Sequence, residues 1–216
     1  MQQRLALFDL DGTLVDRQAA YNNVVTELCR AHGLGLPAEQ WLLGQLAERA
    51  NISDFAQFRV AFDLSEPPET LWHEYVDRMA AAITCRPEVL EGLAELRAAD
   101  WTIGIASNGA SDIQRAKLAA TGIADLVDGV AVSGDLDVRK PGRELFAYAA
   151  ALCGLNLTDG GWMIGDNPAA DIGGGHLAGL HTIWLRGRPW PHLLPAAHHT
   201  VDDVTDAITI LLNERR

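Results

Sequence analysis

At 216 residues the chain is long enough to bury a large core, as one domain or one and a half. Apolar residues at 48% and charged residues at 21% are the balance of an ordinary soluble globular protein. A formal net charge of -12 argues against nucleic acid or an anionic membrane surface as partner, since both demand basic patches. A small anionic substrate remains compatible, because a local cation overrides the global field. Cys29, Cys85 and Cys153 are few, widely spaced and odd in number, which speaks against a disulfide framework or zinc site and fits a reducing cytoplasm. The first apolar run is too short for a signal peptide, and no transmembrane stretch follows it. Of the seventeen basic residues only two are lysines, Lys117 and Lys140.

Leu5-Ala6-Leu7-Phe8 is apolar at every position, the pattern of a strand buried on both faces in a parallel sheet. It ends in Asp9-Leu10-Asp11-Gly12, so Asp9 is expected at the carboxyl end of the strand, where open α/β sheets bind ligands. Extended backbone puts Asp9 and Asp11 on the same side, and Gly12 lets the chain turn away. Two carboxylates this close need a metal ion, a cation or a shared proton to compensate them. The pair suits magnesium, and equally a carboxylate nucleophile beside a carboxylic acid that passes a proton. An ordinary turn after a strand gives the same four letters.

The next strand pattern is at residues 101–106, far beyond the dozen or so residues a parallel crossover requires. Residues 18–31, 37–49, 53–62 and 67–83 each read as a helix, punctuated by glycines, Asn51 and paired prolines. Residues 17–85 are therefore expected to form a small α-helical domain inserted into a core made of residues 1–16 and 86–216.

From residue 86 helix and strand alternate. Val89, Leu93 and Leu96 mark a helix face ahead of the strand at 101–106. Ser111 and Gln114 have capping-box spacing and open a helix to about residue 121. A strand at 129–132, a helix through Leu145, Phe146, Ala149 and Leu152, a strand at 162–164, a helix at 169–178 and a strand at 181–185 follow. Val204, Ile208 and Leu211 define a closing helix, with Asp202 and Asp203 at its start and Arg215 and Arg216 at its end, as the macrodipole prefers. The alternation predicts a doubly wound parallel sheet of five strands.

Three later strands also end in polar residues. Ser107-Asn108-Gly109 offers a hydroxyl and backbone amides to a phosphate oxygen, although such a tripeptide also makes a plain turn. Lys140 precedes a helix, in a chain that nearly always uses arginine for positive charge. A compact ammonium suits clustered carboxylates and a phosphate together. Asp166 ends the fourth strand, and Asp171 follows as either a helix-dipole partner or a supporting ligand.

With Asp9-Leu10-Asp11-Gly12, Ser107, Lys140 and Gly165-Asp166 through Asp171 in this order, the chain resembles the haloacid dehalogenase-like hydrolases with a helical cap, over nearly its whole length. The resemblance implies that Asp9 is a nucleophile forming an aspartyl-phosphate and that Asp11 is the general acid and base. It implies that Ser107 and Lys140, with Asn108 and Gly109 beside them, hold the phosphoryl group. It implies that Mg2+ is bound by Asp9, the Asp11 carbonyl and Asp166, with Asp171 in support. It places the fourth strand beside the first. Asp11 must be protonated when an alkoxide leaves, a state that neighbouring negative charge favours.

Dehalogenating members lack the second aspartate of the first motif, and phosphonate-cleaving members need a cap lysine, absent from residues 17–85. The expected activity is thus a Mg2+-dependent phosphatase acting on a small phosphorylated metabolite, cytoplasmic, as monomer or homodimer. The alternatives are a phosphomutase, or a binding protein without turnover, whose usual loss of a nucleophile or metal ligand is not seen here. Arg17 and Tyr21, with Gln18 and Asn22, follow the first motif and are expected to face substrate. Trp41, Phe55, Phe58, Trp72 and His73 belong rather to the core of the insertion. His198 and His199 are expected on the surface, and Trp190 in a rim loop or interface.

Overall fold

A computed structural model describes residues 4–214; Arg215 and Arg216, expected to close the last helix, lie outside the described residues. The scaffold is a parallel sheet of β1 (Leu5–Phe8), β2 (Thr102–Ser107), β3 (Gly129–Val132), β4 (Trp162–Gly165), β5 (His181–Leu185) and β6 (His199–Val201), in the order β3-β2-β1-β4-β5-β6. The expected sheet gains one strand. β6 is three residues long, two of them exposed, and pairs with β5 at the edge, so no apolar run announces it. β1 is central, with Leu7 opposite Gly104 on one side and Met163 on the other.

The unbroken apolarity of β1 follows from that position. Ala6 and Phe8 point into one hydrophobic cluster and Leu5 and Leu7 into a second on the opposite face. The second face is covered by α8 (Arg143–Leu152) and α9 (Gly174–Ala178). The first is covered by α5 (Pro87–Ala98), α6 (Ser111–Thr121) and α10 (Val204–Asn213). A one-turn helix, α7 (Ser133–Leu136), follows β3. Among the described residues no helix is long and apolar enough to cross a membrane.

Between β1 and α5 stand four helices, α1 (Arg17–Ala31), α2 (Leu36–Gln45), α3 (Ile52–Ala61) and α4 (Pro68–Ala82). Asp16 caps α1 through the amide of Ala19, and Asn51 with Asp54 forms a reciprocal capping box on α3. The helix at α2 is shorter than its pattern suggests, because the carbonyls of Leu46 and Ala47 turn to the Arg17 guanidinium at 2.6 and 2.9 Å. Phe55, Phe58 and Trp72 are buried, with Phe55 edge-on to Trp72 and Trp41 stacked on Phe58, while His73 is exposed. These rings continue the hydrophobic cluster of Phe8 and Leu10 without a break, so the inserted helices and one face of the sheet share a core.

The Ser111–Gln114 capping box does not form. Ala110 is the cap residue, Ser111 instead donates to Asp135, and Gln114 is buried. At the other terminus of the chain, Asp203 caps α10 through the Thr205 amide at 2.9 Å and accepts from Arg86 at 2.6 Å. The Arg86 guanidinium first, with Thr205 assisting, pulls the Asp203 carboxyl down to about 2. Asp203→Ala is expected to cost about 1 kcal/mol in urea unfolding at neutral pH. Because the folded-state value is depressed, that difference is full above about pH 4 and disappears as pH falls through about 2.

Candidate active site

All the strands run in one direction, so their carboxyl ends open on one side, and the polar residues collect there. Asp9 lies one residue beyond β1, held to β4 by its own amide on the Ile164 carbonyl at 2.9 Å. Its carboxylate accepts the Leu10 amide at 2.8 Å. The chain then turns so tightly that the Leu10 carbonyl accepts from both Leu14 and Val15. Gly12 has φ of 81°, and a Cβ there would stand 3.0 Å from the Asp166 carboxylate. Glycine thus meets two demands at once, a left-handed turn and a close approach of the first motif to the fourth strand.

Lys140 is buried, and its Nζ lies 2.9 Å from Asp9 Oδ1 and 2.7 Å from Asp171 Oδ1. Asp171, fully buried, sits in a π-helical turn (Pro168–Gly173) and accepts the Asn167 amide at 2.9 Å. It approaches β4 so closely that a Cβ on Gly165 would fall 2.2 Å from its Oδ2. Burial pushes the Asp171 carboxyl above the usual carboxylate range, against the pull of Lys140 and with Asp9 adding to it. Burial opposes the Lys140 charge as well, but Asp171 and Asp9 together hold that ammonium above its ordinary value. Asp166 is also raised, by burial before all else, with Arg188 opposing from 2.8 Å.

Asp9, Asp166 and Asp171 each present an oxygen within 4.8 Å of the others. Three carboxylates facing one buried ammonium and one half-exposed guanidinium leave negative charge in excess, with oxygen donors only. That set fits a hard divalent cation. Lys140 Nζ is thus shared between the Asp9 and Asp171 carboxylates at hydrogen-bond distance from each.

Asp11 has a different surrounding from the one expected. Its carboxylate touches positive charge: Lys117 Nζ lies 2.8 and 2.7 Å from its two oxygens, and Gln114 Nε2 donates to Oδ2 at 3.1 Å. Gln114 Nε2 also donates to Ser107 Oγ at 2.7 Å. Burial lowers the Lys117 ammonium from its usual value while Asp11 works to keep it charged. Sequence reasoning overlooked both residues. The signal was there in Lys117, one of only two lysines and set at a core position of α6 between Ile113 and Thr121.

Ser107 and Asn108 line the cleft. Asn108 spans the backbone of Lys140, donating to its carbonyl at 3.1 Å and accepting its amide at 2.8 Å, which ties the second strand end to the third. The amide of Gly109, expected to be open to a phosphate, instead donates to Ser133 Oγ at 3.0 Å. It organises the loop rather than facing the cleft.

The cleft has a volume of about 660 Å³ and runs from these carboxylates to the inserted helices. Arg17, Arg139, Arg186 and Arg188 line it together with Asp16, Glu48, Asp202 and Gln18, so its walls mix guanidinium and carboxylate above an anionic floor. Arg17 faces it as expected. Tyr21 does not: it is buried beneath the Arg17 guanidinium, 4.6 Å from ring centroid to Cζ, and its hydroxyl donates to the Leu43 carbonyl at 2.6 Å. A tyrosine one turn along α1 points into the helical layer, where burial pushes its hydroxyl up to about 12. Asn22 is exposed. Arg188 reaches from Asp166 to Glu48 of the insertion, at 2.8 and 3.8 Å. Trp190 packs edge-on to Trp184 with centroids 4.7 Å apart, closing the loop after β5 on itself. His198 and His199 are exposed, with His199 opening the edge strand β6 opposite Ile183, three strands across the sheet from β1.

The family profile described as haloacid dehalogenase-like hydrolase matches residues 6–185. The chain is similar to pyrimidine 5'-nucleotidase YjjG of Escherichia coli, 32% identical over 164 residues, covering 76% of this chain and 63% of that one. It is similar to a phosphoserine phosphatase of Thermus thermophilus, 35% identical over 99 residues, covering 46% of this chain and 39% of that one. The chain thus spans less than two thirds of the length of these curated relatives. The crystal structure of a HAD phosphatase from Thermococcus onnurineus superposes with a TM-score of 0.72 at 25% identity, covering 99% of this chain and all of that one.

Removing the buried ammonium isolates the carboxylates it serves. Lys140→Met is expected to lose about 3–5 kcal/mol in urea unfolding with chelator present. Millimolar divalent cation should recover part of that loss, and a variant indifferent to the cation would contradict the charge balance described above.

Proposed function

The chain belongs to the haloacid dehalogenase-like hydrolases, and from that premise we propose that it is a magnesium-dependent phosphatase, cleaving a small phosphomonoester through an aspartyl-phosphate on Asp9. The observation that carries the reading is the joint approach of Lys140 to Asp9 and Asp171, beside Asp166 and at the floor of a cleft walled in part by arginines. Phosphomonoester hydrolysis is among the slowest uncatalysed reactions, with accelerations up to about 10²¹-fold, and positioning and charge neutralisation are what such a site supplies.

Asp9 attacks phosphorus as the bond to the leaving oxygen breaks, and Asp11 gives its proton to the departing alkoxide. Asp11 then takes a proton from the water that attacks the aspartyl-phosphate, which frees phosphate and restores Asp9. Lys140 and the Ser107 hydroxyl hold the phosphoryl oxygens through both steps. Magnesium, held by Asp9, the Asp11 carbonyl and Asp166 with Asp171 behind, would supply further positive charge to those oxygens. The helices of residues 17–85 act as a cap that excludes water, with Arg17 facing the substrate.

The substrate class is a nucleotide-, sugar-phosphate- or phosphoglycolate-like monoester. The cleft volume and its arginines support that class, as does similarity to a pyrimidine 5'-nucleotidase and a phosphoserine phosphatase. Three free cysteines fit a cytoplasmic enzyme, which we take to act as monomer or homodimer.

Phosphate release from a panel of phosphomonoesters, with magnesium and with chelator, tests the reading. Release is expected only with the metal and to be abolished in Asp9→Asn. Isomerised sugar phosphate in place of free phosphate would turn the assignment to a mutase. Asp11→Asn is expected to lower kcat/KM on alkyl esters about 10²–10⁴-fold and on aryl esters far less, since a phenolate leaves without a proton, while kcat falls on both because both aspartyl-phosphates need the base.

A further inference from the structure

Lys117 and Gln114 belong to none of the four motifs, yet they enclose Asp11 from the interior of the protein. Lys117 is 2% exposed and Gln114 1%, so the pair lies out of reach of bulk water. The three protons of Lys117 have three partners, the two oxygens of Asp11 and Gln114 Oε1 at 2.8 Å. An ammonium donates and cannot accept. Gln114 must therefore turn its carbonyl to Lys117 and its amide nitrogen the other way, where its two protons go to Asp11 Oδ2 and Ser107 Oγ. A serine hydroxyl has one proton to give. With its oxygen accepting from Gln114, Ser107 keeps that proton for the cleft it lines.

We infer that Lys117 and Gln114 are positioning residues that set the direction of hydrogen bonding in this site, orienting the Asp11 carboxylate and leaving the Ser107 proton to a phosphoryl oxygen of the substrate. The inference rests on the proton-donor role given to Asp11 above. Its physical basis is directional: one donor-only group, placed at the end of a buried chain, fixes the donor and acceptor sense of every group after it. Without the lysine only the Asp11 oxygen holds the glutamine's direction, and a protonated Asp11, able to donate, no longer does; in the inverted orientation Ser107 would spend its proton on Gln114 Oε1. The exposed face of Asp11 lines the cleft, so the clamp leaves that side open to a leaving group.

The test is the ratio of kcat/KM on an alkyl phosphate to kcat/KM on an aryl phosphate, which reports the steps through departure of the leaving group, with KM for both and magnesium present. It compares wild type, Lys117→Met, Gln114→Leu, Asp11→Asn and the Lys117→Met, Asp11→Asn double variant. Lys117→Met is expected to lower the ratio about 10–100-fold while kcat/KM on the aryl ester stays within about 3-fold. In the Asp11→Asn background the same substitution should add less than about 2-fold, because the two act through one group. Gln114→Leu, close in volume and uncharged, is expected to lower the ratio about 10-fold and to raise KM for both esters. It carries the test alone if Lys117→Met does not fold. Equal loss of kcat/KM on both esters, or full additivity with Asp11→Asn, would mark a structural role and overturn the inference. A reduced ratio in Asp11→Asn beside an unchanged one in both positioning variants also overturns it and leaves Asp11 as the donor. An unchanged ratio in Asp11→Asn removes the donor reading itself, and the inference with it.

Discussion

The constraint on which the rest of the molecule depends is the crowding of Asp9, Asp166 and Asp171 around a single buried ammonium. Carboxylates at this spacing are tolerated in an interior only when opposite charge is built in with them. The fold provides it from three separate strand ends. β1 delivers Asp9, β4 and the turn after it deliver Asp166 and Asp171, and the loop after β3 delivers Lys140. Asn108, at the end of β2, holds the backbone of Lys140 by both its carbonyl and its amide. No single loop could create this arrangement, and β1 must lie between β2 and β4 for the groups to meet.

A second charged group stands a few residues away, built on another principle. Around Asp9 the compensation is one ammonium shared between two carboxylates from different strand ends, in a group of side chains that lines the cleft. Around Asp11 every donor of Lys117 is aligned and satisfied. Two lysines of the same chain therefore differ in use: Lys140 lines the cleft between two carboxylates, and Lys117 directs all three donors to protein groups behind it. The inserted helices join this scheme through Arg17, which stacks on Tyr21 and pins the end of α2, and through Arg188, which spans Asp166 and Glu48.

Much of this was legible in the sequence because it is written locally. An apolar run that stops at a polar residue reports both a strand and its end, and Asp9, Ser107 and Asp166 were found that way. The long gap between β1 and β2 reported the insertion, since no crossover needs so many residues. What was not legible depended on partners distant in the chain. Ser111 and Gln114 have the spacing of a capping box, but Asp135 and the pair Asp11 and Ser107 are better partners, and they lie beyond any local window. Tyr21 is adjacent to the first motif in sequence, yet helix rotation turns it beneath Arg17. β6 is an edge strand paired on one side, so it has no need of the apolar run by which the other five were recognised.

The scarcity of lysine has a consequence at the protein surface. Both lysines are buried at the site, so among the described residues the folded protein offers solvent no side-chain amine at all. Among the described residues the permanent positive charge on that surface is carried by guanidinium groups. Reagents that couple to primary amines, whether for immobilisation, labelling or cross-linking, have no lysine handle on this surface. Acylation of a lysine in the folded protein would therefore report the opening of the site rather than the accessibility of the exterior.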